Sequence, residues 1–152
     1  MGFDQPSLKG RALRLLGQRE HSRFELERKL RQHEVEPGEL AHALDDLQAK
    51  GLINEQRVLE SVVHRRAPRL GAMRVRQELQ AKGLAPEAVA QAVADLQGSE
   101  FERAREVWRR KFGVPAEDPT SWAKQMRFLA ARGFGGDTIR RVVKGRDGDG
   151  DD

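Results

Sequence analysis

Residues 75–97, VRQELQAKGLAPEAVAQAVADLQ, repeat the pattern of residues 26–48, LERKLRQHEVEPGELAHALDDLQ, and this pair of segments decides the fold. A shift of 49 residues superimposes the apolar positions of the two segments without a gap and places Pro37 on Pro86. Within each segment the apolar residues follow helical spacing, so each one predicts a pair of amphipathic helices.

A third and weaker copy follows after a further shift of 50 residues. The coinciding apolar pairs are Leu79 with Leu129, Leu84 with Phe134, Val89 with Ile139 and Val93 with Val143. Each unit has few large side chains, so neighbouring units must cover each other's apolar stripes. The chain is therefore predicted to be all-α, with three tandem three-helix repeats in an elongated, curved array that offers a long surface to a partner.

The repeats predict the division of the chain. Repeat 1 is assigned to residues 8–53, repeat 2 to 54–98 and repeat 3 to 99–145, and the acidic tail 146–152 is expected to be disordered. Only 38% of the 152 residues are hydrophobic, which favours several shallow cores over one deep core.

Signals for helix ends support this reading. Ser22 and Glu25 form a capping box, in which each side chain binds the other residue's amide. Pro37 and Pro86 are each expected at the first position of a helix, where the missing N–H costs nothing. Gly51 is expected to end a helix in the left-handed conformation.

Other helix boundaries and the core positions follow from the same patterns. Pro68 is predicted to break one helix, and residues 69–82 are predicted to form the next. The predicted core-facing side chains of the third repeat are Trp108, Phe112, Trp122, Met126 and Leu129.

Composition limits the environment and the class of protein. The absence of cysteine excludes disulfides and thiolate metal sites, which suits a reducing compartment. No apolar run is long enough to span a membrane, and residues 1–11 lack a secretory stretch. The sequence shows no spare apolar surface of the kind that a dimer interface needs. A monomer in the cytoplasm is expected.

The net charge is +4 but is unevenly distributed. Residues 99–145 carry eleven basic and six acidic side chains, whereas residues 146–152 carry one basic and four acidic side chains. A basic bias of this kind favours an anionic partner, either a nucleic acid or an acidic groove on a protein.

No set of residues resembles a catalytic, metal or cofactor site. The four histidines are scattered without ligand spacing and are expected to be exposed on helices. The glycine-rich residues 133–136 lack the Lys-Ser/Thr pair of a phosphate loop. We therefore expect no cofactor, no metal ion and no enzymatic activity.

Basic clusters are the best candidates for contact with a partner, because arginine binds carboxylate and phosphate groups in bidentate fashion. The alternative is a solvated surface with pairing at i,i+4 spacing, such as Glu106 with Arg110. Trp108 and Trp122 are either stacking platforms for bases or, more simply, core residues. The candidate partner-binding residues are Arg65, Arg66, Arg69, Arg74, Arg76, Arg109, Arg110, Lys111, Arg140, Arg141 and Lys144.

Four segments carry a resemblance to a known family. They are SRFELERKL at 22–30, LQAKGLINE at 47–55, RFLAARGF at 127–134 and IRRVV at 139–143. In this order and spacing, over residues 8–145, the chain resembles the RecX regulatory proteins, which modulate the bacterial RecA recombinase. The acidic tail matches no part of that pattern.

The resemblance implies a protein of three tandem three-helix units that is not an enzyme. Such proteins bind in the helical groove of the RecA filament on DNA and reduce its ATP hydrolysis, strand exchange and co-protease activity. The RecA filament is thus the expected partner, with weak contact to DNA. Whether inhibition caps a filament end or occupies the groove stays open.

A direct DNA-binding protein of helix-turn-helix type is the alternative function, since three-helix units with tight turns imitate that motif. A recognition helix needs a basic outer face, yet the third helices of repeats 1 and 2 carry mostly Ala, Gln, Asp and Glu there. Only residues 139–144 of the last helix are basic, which weakens the alternative.

Overall fold

The computed structural model describes residues 5–144, and all of the regular structure in this range is helical. The α-helices are α1 Leu8–Gln18, α2 Arg23–Leu30, α3 Glu39–Ala49, α4 Glu55–Arg66, α5 Ala72–Ala81, α6 Pro86–Gln97, α7 Glu100–Lys111, α8 Pro119–Ala131 and α9 Gly136–Val143. One 3₁₀ turn, Arg31–His33, extends α2. The predicted all-α class is confirmed, while residues 1–4 and the predicted acidic tail lie outside the described range.

Most of the predicted helix ends are confirmed. The Ser22 hydroxyl accepts from the Glu25 amide, and the Glu25 carboxylate accepts from the Ser22 amide, which completes the capping box. Pro86 is the first residue of α6, as predicted. Gly51 has a φ of 77°, the left-handed value expected for a residue that ends a helix.

The predicted start of α3 at Pro37 is wrong. The helix begins at Glu39 and its N-cap is Gly38, whose φ of 86° is a left-handed value outside any α-helix. The carboxylate of Glu39 accepts from the amides of Val35 and Glu36 at 3.4 and 3.3 Å, so the preceding turn is closed by the helix itself. Local turn chemistry therefore prevails over the preference of proline for the first helical position.

The predicted helix over residues 69–82 also begins too early. The amides of Arg69 and Leu70 donate to the carbonyl of Arg66 at 2.9 Å, so these residues complete the end of α4. Helix α5 starts at Ala72, immediately after a turn that ends at Gly71. Sequence periodicity alone did not distinguish this turn from the first turn of a helix.

By its contacts the chain divides into two compact units, and the boundaries fall inside α4 and α5. One unit contains the described residues up to Ser61 with Leu79–Ala85, and the other contains Val62–Glu78 with the described residues from Pro86 onward. The first unit has a core made of Leu8, Ala12, Leu26, Leu30, Leu40, Leu44, Leu47 and Ile53. The second has a core made of Ala104, Leu129, Phe134, Ile139 and Val143.

A polar junction in the first unit joins the start of α2 to the end of α5. The buried Ser22 hydroxyl donates to the carbonyl of Lys82 at 2.6 Å, and the Lys82 ammonium donates to Glu25 at 3.2 Å. Gly83 lies against Phe24, and a Cβ atom added there would be 2.7 Å from that side chain. The ammonium group of Lys82 thus neutralises the carboxylate that caps α2.

An equivalent junction in the second unit joins the start of α5 to the end of α8. The Gly71 amide donates to the carbonyl of Arg132 at 2.8 Å, and the Arg74 guanidinium donates to the carbonyl of Ala131 at 2.8 Å. Gly71 is the 49-residue counterpart of Ser22, and Arg132 is the 50-residue counterpart of Lys82. The repeat in the sequence is therefore also a repeat of the contact between successive middle helices.

Replacing Ser22 with alanine should lower the free energy of unfolding by about 2 kcal/mol, since both the cap of α2 and the bond to Lys82 are lost. Urea unfolding followed by circular dichroism measures the change. The matched control is Ser7→Ala, because Ser7 is exposed and caps α1 through the Gly10 amide alone. Equal losses in the two variants would contradict a role for Ser22 beyond capping.

Candidate functional site

An open groove on the second unit contains three of the predicted partner-binding cations. It has a volume of about 610 Å³ and lies between α7, α8 and the residues that follow α4. Its lining consists of Ala67, Pro68, Arg69, Glu102, Arg103, Glu106, Val107, Arg110, Lys111, Phe128 and Arg132. The structure thus brings Arg69, which follows α4, together with Arg110 and Lys111 at the end of α7.

The phenyl ring of Phe128 is the aromatic centre of the groove. The Arg132 guanidinium lies 4.4 Å from the ring centroid, and the Lys111 ammonium lies 5.6 Å from it. Phe112 packs edge-on against the same ring, with 5.3 Å between centroids. Cation–aromatic contacts of this kind hold the charged groups in place while leaving their polar atoms for other partners.

Two of the groove's charges are neutralised within the protein. Glu106 accepts from Arg109 at 2.7 Å and from Arg110 at 2.9 Å. Hydrogen bonds from Arg109, which has the larger effect, and from Arg110 lower the pKa of Glu106 to about 2. The predicted i,i+4 pairing of Glu106 with Arg110 is confirmed, so Arg110 is partly committed to its own helix.

Arg103 has a structural role at the edge of the groove. Its guanidinium donates to the carbonyls of Ala67 and Leu70 at 2.7 Å, and to that of Leu96 at 2.9 Å. Burial lowers the pKa of this guanidinium below its usual range. By binding the carbonyl groups after α4, Arg103 fixes the segment that carries Arg69 beside α7.

A second cationic surface surrounds Trp122, near α9. Its other lining residues are Asp137, Arg140, Arg141 and Lys144. The Trp122 indole donates to the carbonyl of Val143 at 3.0 Å while 42% of the residue stays exposed. The prediction that Trp122 faces the core is therefore wrong. Its N–H is held by the end of α9, which leaves part of the ring in solvent.

The other tryptophan and the remaining cations near α9 have defined partners. The Trp108 indole, partly buried against the second core, donates to Gln125 at 2.8 Å. Arg140 pairs with Asp137, and the Arg141 guanidinium lies 4.1 Å from the ring centroid of Phe101. Trp108 is thus a packing residue, as its helical spacing predicted.

The other predicted cations do not join the groove. Arg66 pairs with Glu78 at 3.0 Å, and Arg74 binds the carbonyl of Ala131 in the second junction. Arg65 and Arg76 are exposed. Sequence reasoning missed Phe128 and Arg132, although their i,i+4 spacing at the C-terminal end of α8 was a signal for cation–aromatic contact.

Two of the four histidines differ from the prediction of exposure, since His33 is half-buried and His21 is buried. His21 was expected to be exposed, but only 1% of it is accessible. Its Nδ1 lies 3.0 Å from the Arg19 carbonyl, and its Nε2 lies 3.3 Å from the Lys29 ammonium. Burial lowers the pKa of His21, so the ring is a neutral packing group next to the capping box of α2.

Among residues 5–144, no three histidine, aspartate or glutamate side chains converge in a way that would hold a metal ion. None of the helices in this part of the chain combines the length and the apolar character needed to cross a membrane.

Together, the helices and the groove define an all-α protein of tandem three-helix domains with cationic surfaces. Family models for the RecX first, second and third three-helix domains match residues 9–47, 54–93 and 99–143. The chain belongs to the RecX family.

Named relatives support this assignment. A Regulatory protein RecX from Leptothrix cholodnii is 52% identical over 140 residues, which cover 92% of this chain and 89% of the relative. One from Ralstonia nicotianae is 46% identical over 141 residues, which cover 93% and 89%. The crystal structure of RecX from Lactobacillus salivarius is similar in fold, with a TM-score of 0.71, 20% identity and coverage of 93% and 94%.

Proposed function

We propose that this chain binds the RecA filament on DNA and inhibits the recombinase, ATPase and co-protease activities of RecA. By this action it would restrain homologous recombination and the SOS response in the cytoplasm. The groove around Phe128 is the proposed contact surface, and the protein acts as a monomer.

The observation that carries this proposal is the cationic groove in a chain that belongs to a family of regulatory proteins. Arg69 and Lys111 have no ion-pair partner among residues 5–144, so their charges are available to an anionic partner. Complementary charges across an interface fix orientation and raise the rate of association. The groove therefore suits recognition of an acidic surface.

The test is RecA ATP hydrolysis on single-stranded DNA with substoichiometric amounts of this protein. The wild-type protein should inhibit, and the double variant Arg69→Glu/Lys111→Glu should need a concentration about tenfold higher for half-inhibition, because two charge contacts become repulsive. Urea midpoints should stay within experimental error, since both side chains are exposed.

The matched control is Arg105→Glu. Arg105 is exposed on the same helix, α7, but does not line the groove, so this variant tests the effect of net charge alone. It should inhibit RecA like the wild-type protein. Unchanged inhibition by the groove variant, or no inhibition by the wild-type protein, would contradict the proposal.

Direct DNA binding is a second candidate function, favoured by the surface around Trp122. A half-exposed indole beside Arg141 and Lys144 matches the combination of aromatic and cationic groups that binds single strands. Lys144→Glu should then weaken binding of labelled oligothymidylate without changing the inhibition constant for RecA. Tight binding of oligothymidylate, or sequence-selective binding of duplex DNA, without inhibition of RecA would favour this function over the first.

A further inference from the structure

We propose that the groove around Phe128 binds an acidic peptide segment that carries a bulky apolar side chain. This inference rests on the proposed function, since it specifies the chemistry by which a protein partner is recognised. The groove has an apolar floor and a cationic rim, and each of the two parts selects one feature of the peptide.

The floor selects an apolar anchor. Ala67 and Pro68, from the segment after α4, face the groove together with Val107 and Phe128. Pockets that hold binding hot spots are commonly of this kind, with apolar surface at the centre and charged groups at the edge. A leucine or phenylalanine side chain bound there would remove its own apolar surface, and that of the groove floor, from water.

The rim selects carboxylates on both sides of the anchor. Arg69 lies on the segment after α4, Lys111 at the end of α7, and Arg132 at the end of α8. The Nε atom of Arg132 is buried and has no hydrogen-bond partner among the described residues. A buried unsatisfied donor is costly, and a carboxylate reached by rotation of the guanidinium would satisfy it.

A peptide fits this groove better than a nucleic acid does. Glu102 and Glu106 line the same wall as the cations, and a continuous row of phosphates would be repelled by them. Carboxylates can be spaced along a peptide so that each one meets a cation, whereas the phosphates of a nucleic acid repeat at every nucleotide.

The experiment is a fluorescence anisotropy titration of the full chain, without RecA or DNA. The probe is a labelled peptide, Asp-Glu-Leu-Phe-Glu-Asp, and its matched control is Asp-Glu-Gly-Ser-Glu-Asp. The first peptide should bind, and the second should bind about tenfold more weakly because the apolar anchor is missing. The affinity of the first peptide should be about tenfold lower for Arg69→Glu/Lys111→Glu than for the wild-type protein. Its affinity for Arg105→Glu should equal that for the wild-type protein.

Three results would overturn the assignment. The first is no binding of the first peptide, and the second is equal binding of both peptides. The third is that oligothymidylate displaces the peptide and itself binds Arg69→Glu/Lys111→Glu more weakly than the wild-type protein. The last result would make the groove a nucleic-acid site. The titration contains no RecA, so a failure to bind the peptide would overturn this inference only. Inhibition of RecA is tested separately, by the ATP hydrolysis assay. Peptide binding by a protein that does not inhibit RecA would overturn the proposed function alone.

Discussion

Replacing Gly71 with alanine is expected to lower the free energy of unfolding by about 4 kcal/mol, or to prevent folding of the second unit. A Cβ atom at this position would lie 2.3 Å from the carbonyl oxygen of Gly133 and 2.4 Å from the amide nitrogen of Phe134. Both are backbone atoms and cannot move aside as a flexible side chain would. The start of α5 would have to separate from the end of α8.

Separation would also break the hydrogen bonds of the second junction. The Gly71 amide donates to Arg132 at 2.8 Å, and the Met73 amide donates to Gly133 at 3.3 Å. Urea unfolding monitored by circular dichroism gives the free energy directly. The matched control is Gly17→Ala in α1, where a Cβ atom would meet nothing within 4 Å.

The control should be stabilised by about 0.5 to 1 kcal/mol, because alanine loses less conformational entropy than glycine in a helix. A Gly71→Ala protein that unfolds at the wild-type urea concentration would show that the close approach of α5 to α8 is wrong. The free energy of unfolding is therefore expected to fall in Gly71→Ala and to rise in Gly17→Ala.

Replacing Glu25 with glutamine is expected to lower the free energy of unfolding at neutral pH by about 2 kcal/mol. Burial raises the pKa of this carboxyl group, but hydrogen bonds from Arg19, the Ser22 amide and Lys82 outweigh burial and lower the pKa from 4.5 to about 2. The expected loss is smaller than the free energy equivalent to the full pKa shift, because the Arg19 side chain is 38% exposed and solvent weakens its ion pair.

The same linkage fixes the pH range in which this stabilisation is lost. Since the pKa is lower in the folded state, the contribution of Glu25 is complete above about pH 4.5 and disappears as the pH falls towards about 2. Urea midpoints measured across this range should fall steeply for the wild-type protein. They should fall less steeply for Glu25→Gln, which has no carboxylate to protonate at this position.

The matched control for this prediction is Glu36→Gln, an exposed carboxylate before α3. Its free energy of unfolding should stay within about 0.5 kcal/mol of wild type, with an unchanged pH dependence. If Glu25→Gln kept the wild-type acid dependence, the ion pairs of Glu25 with Arg19 and Lys82 would contribute nothing to stability.

The two substitutions test the two junctions of the chain by different chemistry. At the first junction a serine hydroxyl and a lysine–glutamate pair join the middle helices, with a carboxylate near the positive end of α2. At the second, two backbones come into direct contact at Gly71 and Gly133. The same helix arrangement is therefore held mainly by side chains at the first junction, and by main-chain contact together with the Arg74 guanidinium at the second.

Helix formation was largely predictable because its signals are local. The capping box of Ser22 and Glu25 and the start of α6 at Pro86 depend on residues within one or two turns of each other. The errors at Pro37 and at residues 69–71 have the same origin. In both places a tight turn precedes the helix, and apolar periodicity does not distinguish such a turn from a first helical turn.

The candidate site was predictable only in its charge. Local composition identified Arg69 and Lys111 as candidates, but it gave no reason to place them with Arg132 and Phe128 in one groove. That grouping arises from the packing of α7 and α8 beside the segment held by Arg103. Side chains far apart in sequence meet through such long-range contacts, whereas helical periodicity reports only neighbours along the chain.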